Sequence, residues 1–247
     1  QKGYEGEKIL YGLSPEADLF AKEIVYSLDQ TCCKLVYKEE EELFKAPLVG
    51  KYNLYNLLGA IAVALSWGFT LRRIVQVFKN IPFVKGRLEL VKIAKPVHVF
   101  VDFAHTEDAL FSVISALREV SNAPLWIIFG CGGNRDKGKR KGMGKVASRF
   151  ASHVVLTNDN PRGEDPEKII ADIQEGIEEK EKVHIELDRK KAIYFAIENS
   201  EEGDIILVAG KGHEEYQIFA DKTIKMSDRE IVYAFDYRNR ETCPTDV

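Results

Sequence analysis

The pattern of apolar and polar positions changes character near residue 90. Before it, residues 8–13 and 32–38 form short β-like runs, and a helix is predicted from Ala17 to Leu28. The acidic tract at residues 39–42 is predicted as a solvated loop or a strand edge. Apolar residues at three- and four-residue spacing predict a helix from Asn53 to Trp67 with a broad buried face.

A second helix is predicted from Thr70, as N-cap, to Phe78. After residue 90, strands alternate with helices. The strands are predicted at residues 97–102, 125–130, 153–157, 183–187 and 204–210, with helices at 108–120, 143–150, 166–179 and 189–200 between them. Such continuously apolar strands are typical of a parallel sheet covered on both faces. Right-handed crossovers then predict a doubly wound α/β domain, closed by an edge hairpin and a helix from Asp228.

Composition narrows the class of protein. The chain has 247 residues, 45% of them hydrophobic and 30% charged, which indicates a folded core and room for up to two domains. A net charge of −4 argues against a general nucleic-acid or membrane-surface role. The longest apolar run, Leu57 to Leu65, is far short of the roughly 20 residues of a membrane span. The first thirty residues lack the apolar core of a signal peptide, and the four cysteines lack C-x-x-C spacing, so a reducing, cytoplasmic location without disulfides or zinc is expected.

Four predicted strands end in polar or glycine-rich loops: VDFAHT, FGCGGNRD, LTNDNPR and VAGKGHE. Because ligands of open α/β sheets bind beyond the carboxyl ends of the strands, these loops are predicted to meet at one rim. Glycines in FGCGGNRD and the seven Lys or Arg between Arg135 and Arg149 are compatible with a site for phosphate or carboxylate groups. The charge run by itself favours a solvated basic loop. A dinucleotide fingerprint is disfavoured because Arg135 stands where the third glycine is needed.

The loop VAGKGHE places Lys211, His213 and Glu214 just after a strand. These residues suit a substrate site. The alternative is a glycine turn that only ends the strand, with His213 hydrogen-bonded to a backbone carbonyl. No Gly-Lys pair in the chain is followed by Ser or Thr, so the sequence contains no Walker A loop.

Seven motifs in order resemble the Mur ligases. They are G-K-Y-N-L-Y-N (50–56), G-R-L-E (86–89), V-D-F-A-H-T (101–106), F-G-C-G-G-N-R-D-x-x-K-R (129–140), D-N-P-R-x-E-D-P (159–166), D-R-x-x-A-I (188–193) and A-G-K-G-H-E-x-Y-Q (209–217). The similarity runs from about residue 50 to 230 and is strongest to family members that add meso-diaminopimelate to UDP-N-acetylmuramoyl-L-alanyl-D-glutamate.

This resemblance implies an ATP-dependent, Mg²⁺-requiring amide ligase of peptidoglycan synthesis, acting through an acyl phosphate as a cytoplasmic monomer on small-molecule substrates. Residues 1–90 are expected to be the C-terminal portion of the central ATP-binding domain, and residues 91–247 the Rossmann-like C-terminal domain that binds the amino acid. The family's P-loop, most magnesium ligands, catalytic residues and UDP-binding domain would lie upstream. The chain by itself is therefore expected to have no ligase activity, and no metal ligand is assigned within it.

The resemblance also implies roles for individual residues. Those expected near ATP are Asn53, Asn56, Arg87, Asp102 and His105. Those expected to bind meso-diaminopimelate are Arg135, Asp159, Asn160, Pro161, Arg162, Gly210 and Glu214, with Lys211 and His213 in support. For Asn53 and Asn56 the alternative is a packed helix with two exposed asparagines.

Substrate choice is expected to depend on Arg162. Lysine and diaminopimelate differ by one carboxylate, and a charge-assisted Arg–carboxylate contact contributes about 1.5–3 kcal/mol. Glu214 would receive a substrate ammonium. The chain departs from the family pattern at Asn134, usually Asp, at Glu107, usually Pro, and at Lys141-Gly142, usually a Pro-apolar pair. Lysine-adding or folate-type ligases, a non-catalytic anion-binding module and a nucleic-acid site at residues 135–149 remain alternatives.

Overall fold

The computed structural model describes residues 8–78 and 83–241. The chain divides into two compact units: Gln1–Phe83 with Ala116–Ser121, and Val84–Ser115 with Asn122–Val247. This division falls a few residues before the domain boundary expected at residue 90. We refer to them as the first and second units.

The first unit contains a four-stranded sheet and two helices. Its strands are β1 (Tyr11–Gly12), β2 (Leu19–Tyr26), β3 (Thr31–Tyr37) and β4 (Glu40–Ala46), in that order across the sheet, followed by α1 (Lys51–Ser66) and α2 (Leu71–Phe78). The predicted helix from Ala17 to Leu28 is wrong: these residues form β2, where Leu19 and Ala21 are buried and their neighbours are not. The acidic tract lies largely in β4, at the edge of this sheet.

Helix α1 confirms the helix with a broad buried face that was predicted from the three- and four-residue spacing of apolar residues. Its apolar positions are buried and form the core of the unit with the sheet: Leu54, Leu57, Leu58, Ile61, Ala62 and Leu65. Helix α2 starts after Thr70, whose hydroxyl accepts a hydrogen bond from the Arg73 N–H at 3.3 Å. Thr70 therefore caps α2, as expected.

The second unit contains a doubly wound sheet, as predicted, but with six strands where five were expected. Its strands are β5 (Glu89–Val91), β6 (His98–Asp102), β7 (Leu125–Phe129), β8 (His153–Leu156), β9 (Val183–Ile185) and β10 (Ile205–Ala209). They lie in the order β5-β6-β10-β7-β8-β9, and all neighbours are parallel except β5 and β6. The antiparallel edge strand β5 was not predicted, because three residues show too little alternation to be recognised.

Helices follow the strands of this sheet. They are α3 (Glu107–Arg118), α4 (Gly138–Phe150), α5 (Pro166–Gln174), α6 (Arg189–Asn199) and α7 (Asp228–Glu241). Helix α4 begins before the predicted Met143. The hairpin of β11 (Tyr216–Ile218) and β12 (Thr223–Lys225) was expected at the sheet edge, but it forms a separate two-stranded sheet. Among the described residues, no helix has the length and apolarity to cross a bilayer.

Candidate functional site

The carboxyl ends of β6, β7, β8 and β10 surround one cavity of about 310 Å³ in the second unit. All four strand-end loops contribute to its wall. Of the residues predicted from the sequence, seven line it: His105, Arg135, Asp159, Asn160, Arg162, Gly210 and Glu214. The wall therefore combines three cationic side chains, of Arg135, Lys139 and Arg162, with three carboxylates, of Asp136, Asp159 and Glu214, which suits a ligand carrying both charges.

Arg162 lies in a turn held by backbone hydrogen bonds. Its φ is 51°, and its N–H donates to the Ile218 carbonyl at 3.0 Å. One guanidinium nitrogen donates to the carbonyl oxygens of Gly133 at 3.0 Å and Asn160 at 3.4 Å. Within the described part of the chain Arg162 makes no ion pair. Its half-buried charge is thus anchored on one side by neutral carbonyls and is available to an anion in the cavity.

The loop FGCGGNRD at residues 129–136, called the glycine loop below, packs directly against this turn. The Gly133 N–H donates to the Asn160 carbonyl at 2.9 Å, and a Cβ on Gly133 would collide with the Pro161 carbonyl oxygen. Pro161 is buried and is not part of the cavity wall. Gly133 is therefore required by backbone packing, and its N–H is already bonded instead of being offered to an anion as the sequence suggested.

A second cluster holds Glu214. The buried Lys211 ammonium donates to Asn160 Oδ1 at 3.0 Å and to Glu214 Oε2 at 2.9 Å. Asn160 Nδ2 also donates to Glu214 Oε2, at 3.0 Å. Burial raises the pKa of Glu214, but the hydrogen bond and charge of Lys211, with help from Asn160 and Arg162, outweigh it, so the pKa lies below its ordinary value. Glu214 is therefore a carboxylate suited to bind a cation.

The residues expected near ATP lie partly at the end of β6. Asp102 is buried, and its carboxylate accepts hydrogen bonds from the N–H groups of Leu88 at 2.6 Å and Ala104 at 2.7 Å. Burial nevertheless raises the pKa of Asp102 above its ordinary value. Its side chain thus binds the local backbone, and we assign it no direct ligand contact.

Phe103 is surrounded by three polar side chains. The Arg87 guanidinium lies 5.1 Å from its ring centroid, and the rings of His105 and His213 lie 4.7 and 5.6 Å away. The ring nitrogen Nδ1 of His105 is 2.9 Å from the Phe103 carbonyl oxygen. Arg87, His105 and His213 are exposed, so one guanidinium and two imidazole rings are open to solvent around Phe103.

Asn53 and Asn56 lie on α1 in the first unit. Asn53 is buried and donates to the Val49 carbonyl at 2.9 Å, whereas Asn56 is exposed. The alternative of a packed helix thus accounts for Asn53. Among the described residues, no group of three or more His, Cys, Asp or Glu is placed to hold a metal ion.

Two fully buried arginines were not recognised from the sequence. Arg140 binds Asp172 and Glu164, each at 2.8 Å, and the Gly132 carbonyl at 3.3 Å. Glu164 in turn accepts the Asn134 N–H at 2.8 Å. Arg140 therefore ties the glycine loop to the segment that follows Arg162.

Arg189 joins the other loops in the same way. It forms two hydrogen bonds to Asp228, at 2.7 and 2.8 Å, and donates to the carbonyls of Asn158 at 3.3 Å and Ala209 at 2.9 Å. Asn158 and Ala209 directly precede Asp159 and Gly210 of the cavity wall. The signal that could have found both arginines was their place in ordered motifs, K-R at 139–140 and D-R-x-x-A-I at 188–193.

An open α/β sheet with a cavity of mixed charge at its carboxyl edge is typical of proteins that bind small charged molecules. Comparison with known families is more specific. Residues 86–212 match the family described as Mur ligase, glutamate ligase domain, and residues 1–64 match the Mur ligase middle domain. The chain belongs to the Mur ligase family.

Two similar proteins carry the same name. The chain is 42% identical over 226 residues to the UDP-N-acetylmuramoyl-L-alanyl-D-glutamate--2,6-diaminopimelate ligase of Solibacter usitatus (strain Ellin6076), covering 91% of this chain and 46% of that protein. It is 40% identical over 229 residues to the enzyme of that name from Caldanaerobacter subterraneus subsp. tengcongensis, covering 92% and 47%. The chain thus spans about half the length of these curated relatives.

Solved structures agree with this assignment. A structure of a UDP-N-acetylmuramoyl-L-alanyl-D-glutamate--2,6-diaminopimelate ligase superposes with a TM-score of 0.72 at 36% identity, covering 95% of this chain and 48% of that one. A UDP-N-acetylmuramate-alanine ligase from Thermotoga maritima, at 16% identity and a TM-score of 0.66 over 95% and 48% of the two chains, shows the shared fold alone.

Proposed function

We propose that the full-length protein is an ATP-dependent ligase that adds meso-diaminopimelate to UDP-N-acetylmuramoyl-L-alanyl-D-glutamate in cytoplasmic peptidoglycan synthesis. The observation that carries this proposal is the Arg162 guanidinium, which lines the cavity without an ion pair among the described residues and has the Glu214 carboxylate in the same wall. Relatives about 40% identical carry the name of this ligase, which supports the proposal.

The charges of the cavity fit this amino acid. Diaminopimelate carries two carboxylates and two ammonium groups, and the wall offers Arg135 and Arg162 together with Asp159 and Glu214. Lysine has only one carboxylate, so it would leave one arginine without a counter-charge. A site built around a polar group of its substrate rejects an analogue lacking that group, by as much as about 10⁴-fold.

The proposed reaction has two steps. A carboxylate oxygen of the nucleotide dipeptide takes the γ-phosphoryl group of ATP and releases ADP; Mg²⁺ would supply charge stabilisation for this transfer. The unprotonated amine of diaminopimelate then attacks the acyl carbon, inorganic phosphate leaves, and the nitrogen loses a proton as the amide forms. The residues of the cavity bind and orient the amine donor for the second step.

Arg87, Asp102, His105 and Asn56 belong to the same proposal as residues near ATP, whereas the hydrogen bond to the Val49 carbonyl accounts for Asn53. The exposed cationic and aromatic surface around Phe103 supports this for Arg87 and His105. The role of Asp102 would be indirect, because its carboxylate fixes the backbone of Leu88 and Ala104.

Calorimetric titration of the full-length protein tests the substrate. We expect meso-diaminopimelate to bind and lysine to bind much more weakly, and Arg162→Ala to lower the affinity for diaminopimelate by about 10- to 100-fold, the equivalent of losing one charge-assisted contact. Arg149→Ala is the matched control, because Arg149 is an exposed arginine of the last turn of α4, outside the cavity wall.

Equal binding of lysine and diaminopimelate, or an equal loss in the two variants, would contradict the proposed selectivity. Amide formation from ATP, the nucleotide dipeptide and diaminopimelate is the direct assay of the activity. Since relatives are about twice as long, we expect the 247-residue chain alone to give no product in this assay.

A further inference from the structure

Lys211 has no exposed surface, although it is a lysine next to a ligand cavity. It does not line the cavity itself, but both of its side-chain partners, Asn160 and Glu214, do. A buried ammonium is costly unless it is paired and hydrogen-bonded. Its position therefore needs an explanation beyond the packing of the loop.

We propose that Lys211 is a positioning residue for amino-acid binding, which acts on the substrate through Glu214 and Asn160. The inference rests on the proposed function, because it assigns Glu214 to the ammonium group of the amine donor. Lys211 would determine which oxygen of Glu214 faces the ligand and would keep that carboxylate ionised.

The hydrogen bonds define the orientation. Asn160 Oδ1 accepts from Lys211 and from the Ile218 N–H, both at 3.0 Å, so the Asn160 amide must direct its Nδ2 to Glu214. Glu214 Oε2 then accepts hydrogen bonds from both the Lys211 ammonium and Asn160 Nδ2. Oε1 accepts no hydrogen bond within the described residues and is left for a cation. Without Lys211, the Ile218 N–H would still orient the Asn160 amide, but Glu214 Oε2 would keep only the neutral hydrogen bond from Asn160 Nδ2 and would lose its charged partner.

Charge supports the same role. Lys211 is the only group in ion-pair contact with Glu214 among the described residues. The positive charges of Arg162 and the buried Arg189 attract the Glu214 carboxylate from further away. Asp159 is a second carboxylate in the same cavity wall. Burial is the largest influence on Glu214 and favours its neutral form. Removal of Lys211 would therefore raise the pKa of Glu214.

Steady-state kinetics of the full-length protein across pH test the proposal with Lys211→Met, which removes charge and donors, and Lys211→Gln, which keeps a donor. We expect the KM for diaminopimelate to rise by about tenfold in Lys211→Met and less in Lys211→Gln. As the pH is lowered, the KM of the Lys211 variants should begin to rise at a higher pH than the KM of the wild type. The kcat at saturating diaminopimelate should change far less.

A double-mutant cycle with Glu214→Gln separates positioning from a purely structural role. If Lys211 acts through Glu214, Lys211→Met should add little to the KM of Glu214→Gln, and the coupling should be large. Additive effects, or KM–pH profiles in the Lys211 variants that parallel the wild type, would overturn the proposal.

A measurement on the unmodified protein covers the case in which a Lys211 variant does not fold. Carboxyl-selective ¹³C NMR, with Glu214→Gln to assign the signal, should show Glu214 titrating below the ordinary glutamate value. Titration at or above that value would overturn the proposal. Failure of the wild-type protein to use diaminopimelate would refute the proposed function instead, so the two failures are distinguishable.

Discussion

The two units bury different kinds of side chain. Among the described residues of the first unit, only Thr31 and Asn53 are buried polar residues, and each donates to one backbone carbonyl, of Leu48 and Val49. The second unit buries Arg140, Arg189 and Lys211 completely, together with several acids and amides. Its polar interior is concentrated where β8 and β10 end.

This difference shows what buried polar groups do in each unit. In the first unit they complete local hydrogen bonding around an apolar core. In the second, each buried cation contacts at least two separate segments and holds a residue of the cavity wall or one that directly precedes it. Because such groups are costly to bury, their concentration at one edge of a sheet marks a site better than surface charge does.

The largest expected effect is the loss of Arg189. Arg189→Met leaves Asp228 buried without its partner, and we expect it to lower the free energy of unfolding by about 3–5 kcal/mol. In the first unit, Thr31→Val removes one buried hydroxyl bond and should cost about 1 kcal/mol. Urea unfolding of both variants measures the difference.

Equal losses in those two variants would break the contrast between the units. The double variant Arg189→Met/Asp228→Leu tests the cause of the loss. Removing the unpaired, buried Asp228 carboxylate should recover part of the free energy of unfolding lost in Arg189→Met.

A smaller effect is expected at glycines. Gly133→Ala places a Cβ against the Pro161 carbonyl, so it should cost about 1–3 kcal/mol and weaken diaminopimelate binding by separating the glycine loop from the turn of Arg162. In the first unit, a Cβ on Gly12 meets nothing within 4 Å, and Gly12→Ala should stay within about 0.5 kcal/mol of wild type. Thermal unfolding and calorimetry report both; a neutral Gly133→Ala would show that the loop adapts.

The smallest effect concerns pH. The Asn134 N–H and the Arg140 guanidinium lower the pKa of Glu164. Its contribution to stability is therefore present above the unfolded-state pKa and lost as pH falls through the lower folded-state pKa. Glu164→Gln should be less stable than wild type at neutral pH, and this gap should close in acid.

Acid and neutral unfolding curves of Glu164→Gln test that expectation, with Glu178→Gln as control for an exposed glutamate of the second unit. A gap that persists at low pH would mean that Glu164 acts through shape and not through charge.

Much of the fold could be predicted from the order of apolar runs. The parallel strands of the second unit and helix α1 follow directly from periodicity. Segment 17–28 was mistaken for a helix because its short apolar pattern fits either structure, and pairing with β3 decides for the strand β2. Strand β5 likewise exists because β6 provides a partner.

The site was predictable only in part. Strand-end position and the ordered motifs bring Arg135, Asp159, Arg162 and Glu214 to one cavity wall, as expected. The burial of Lys211, Arg140 and Arg189 was not predictable, because their partners lie between 3 and 51 residues away along the chain and no local pattern reveals such pairs.

The sequence by itself determined the class of fold, the rim where the loops meet and the family, because these depend on periodicity and on the order of motifs. Tertiary structure alone decided which charged side chains are available to a ligand in the cavity. Arg162 keeps its charge for the cavity because carbonyl oxygens anchor it, whereas Arg140 and Arg189 are neutralised by acids brought from other segments. The physical reason is that the role of a charge depends on its burial and its counter-charge, and both arise only when distant segments pack together.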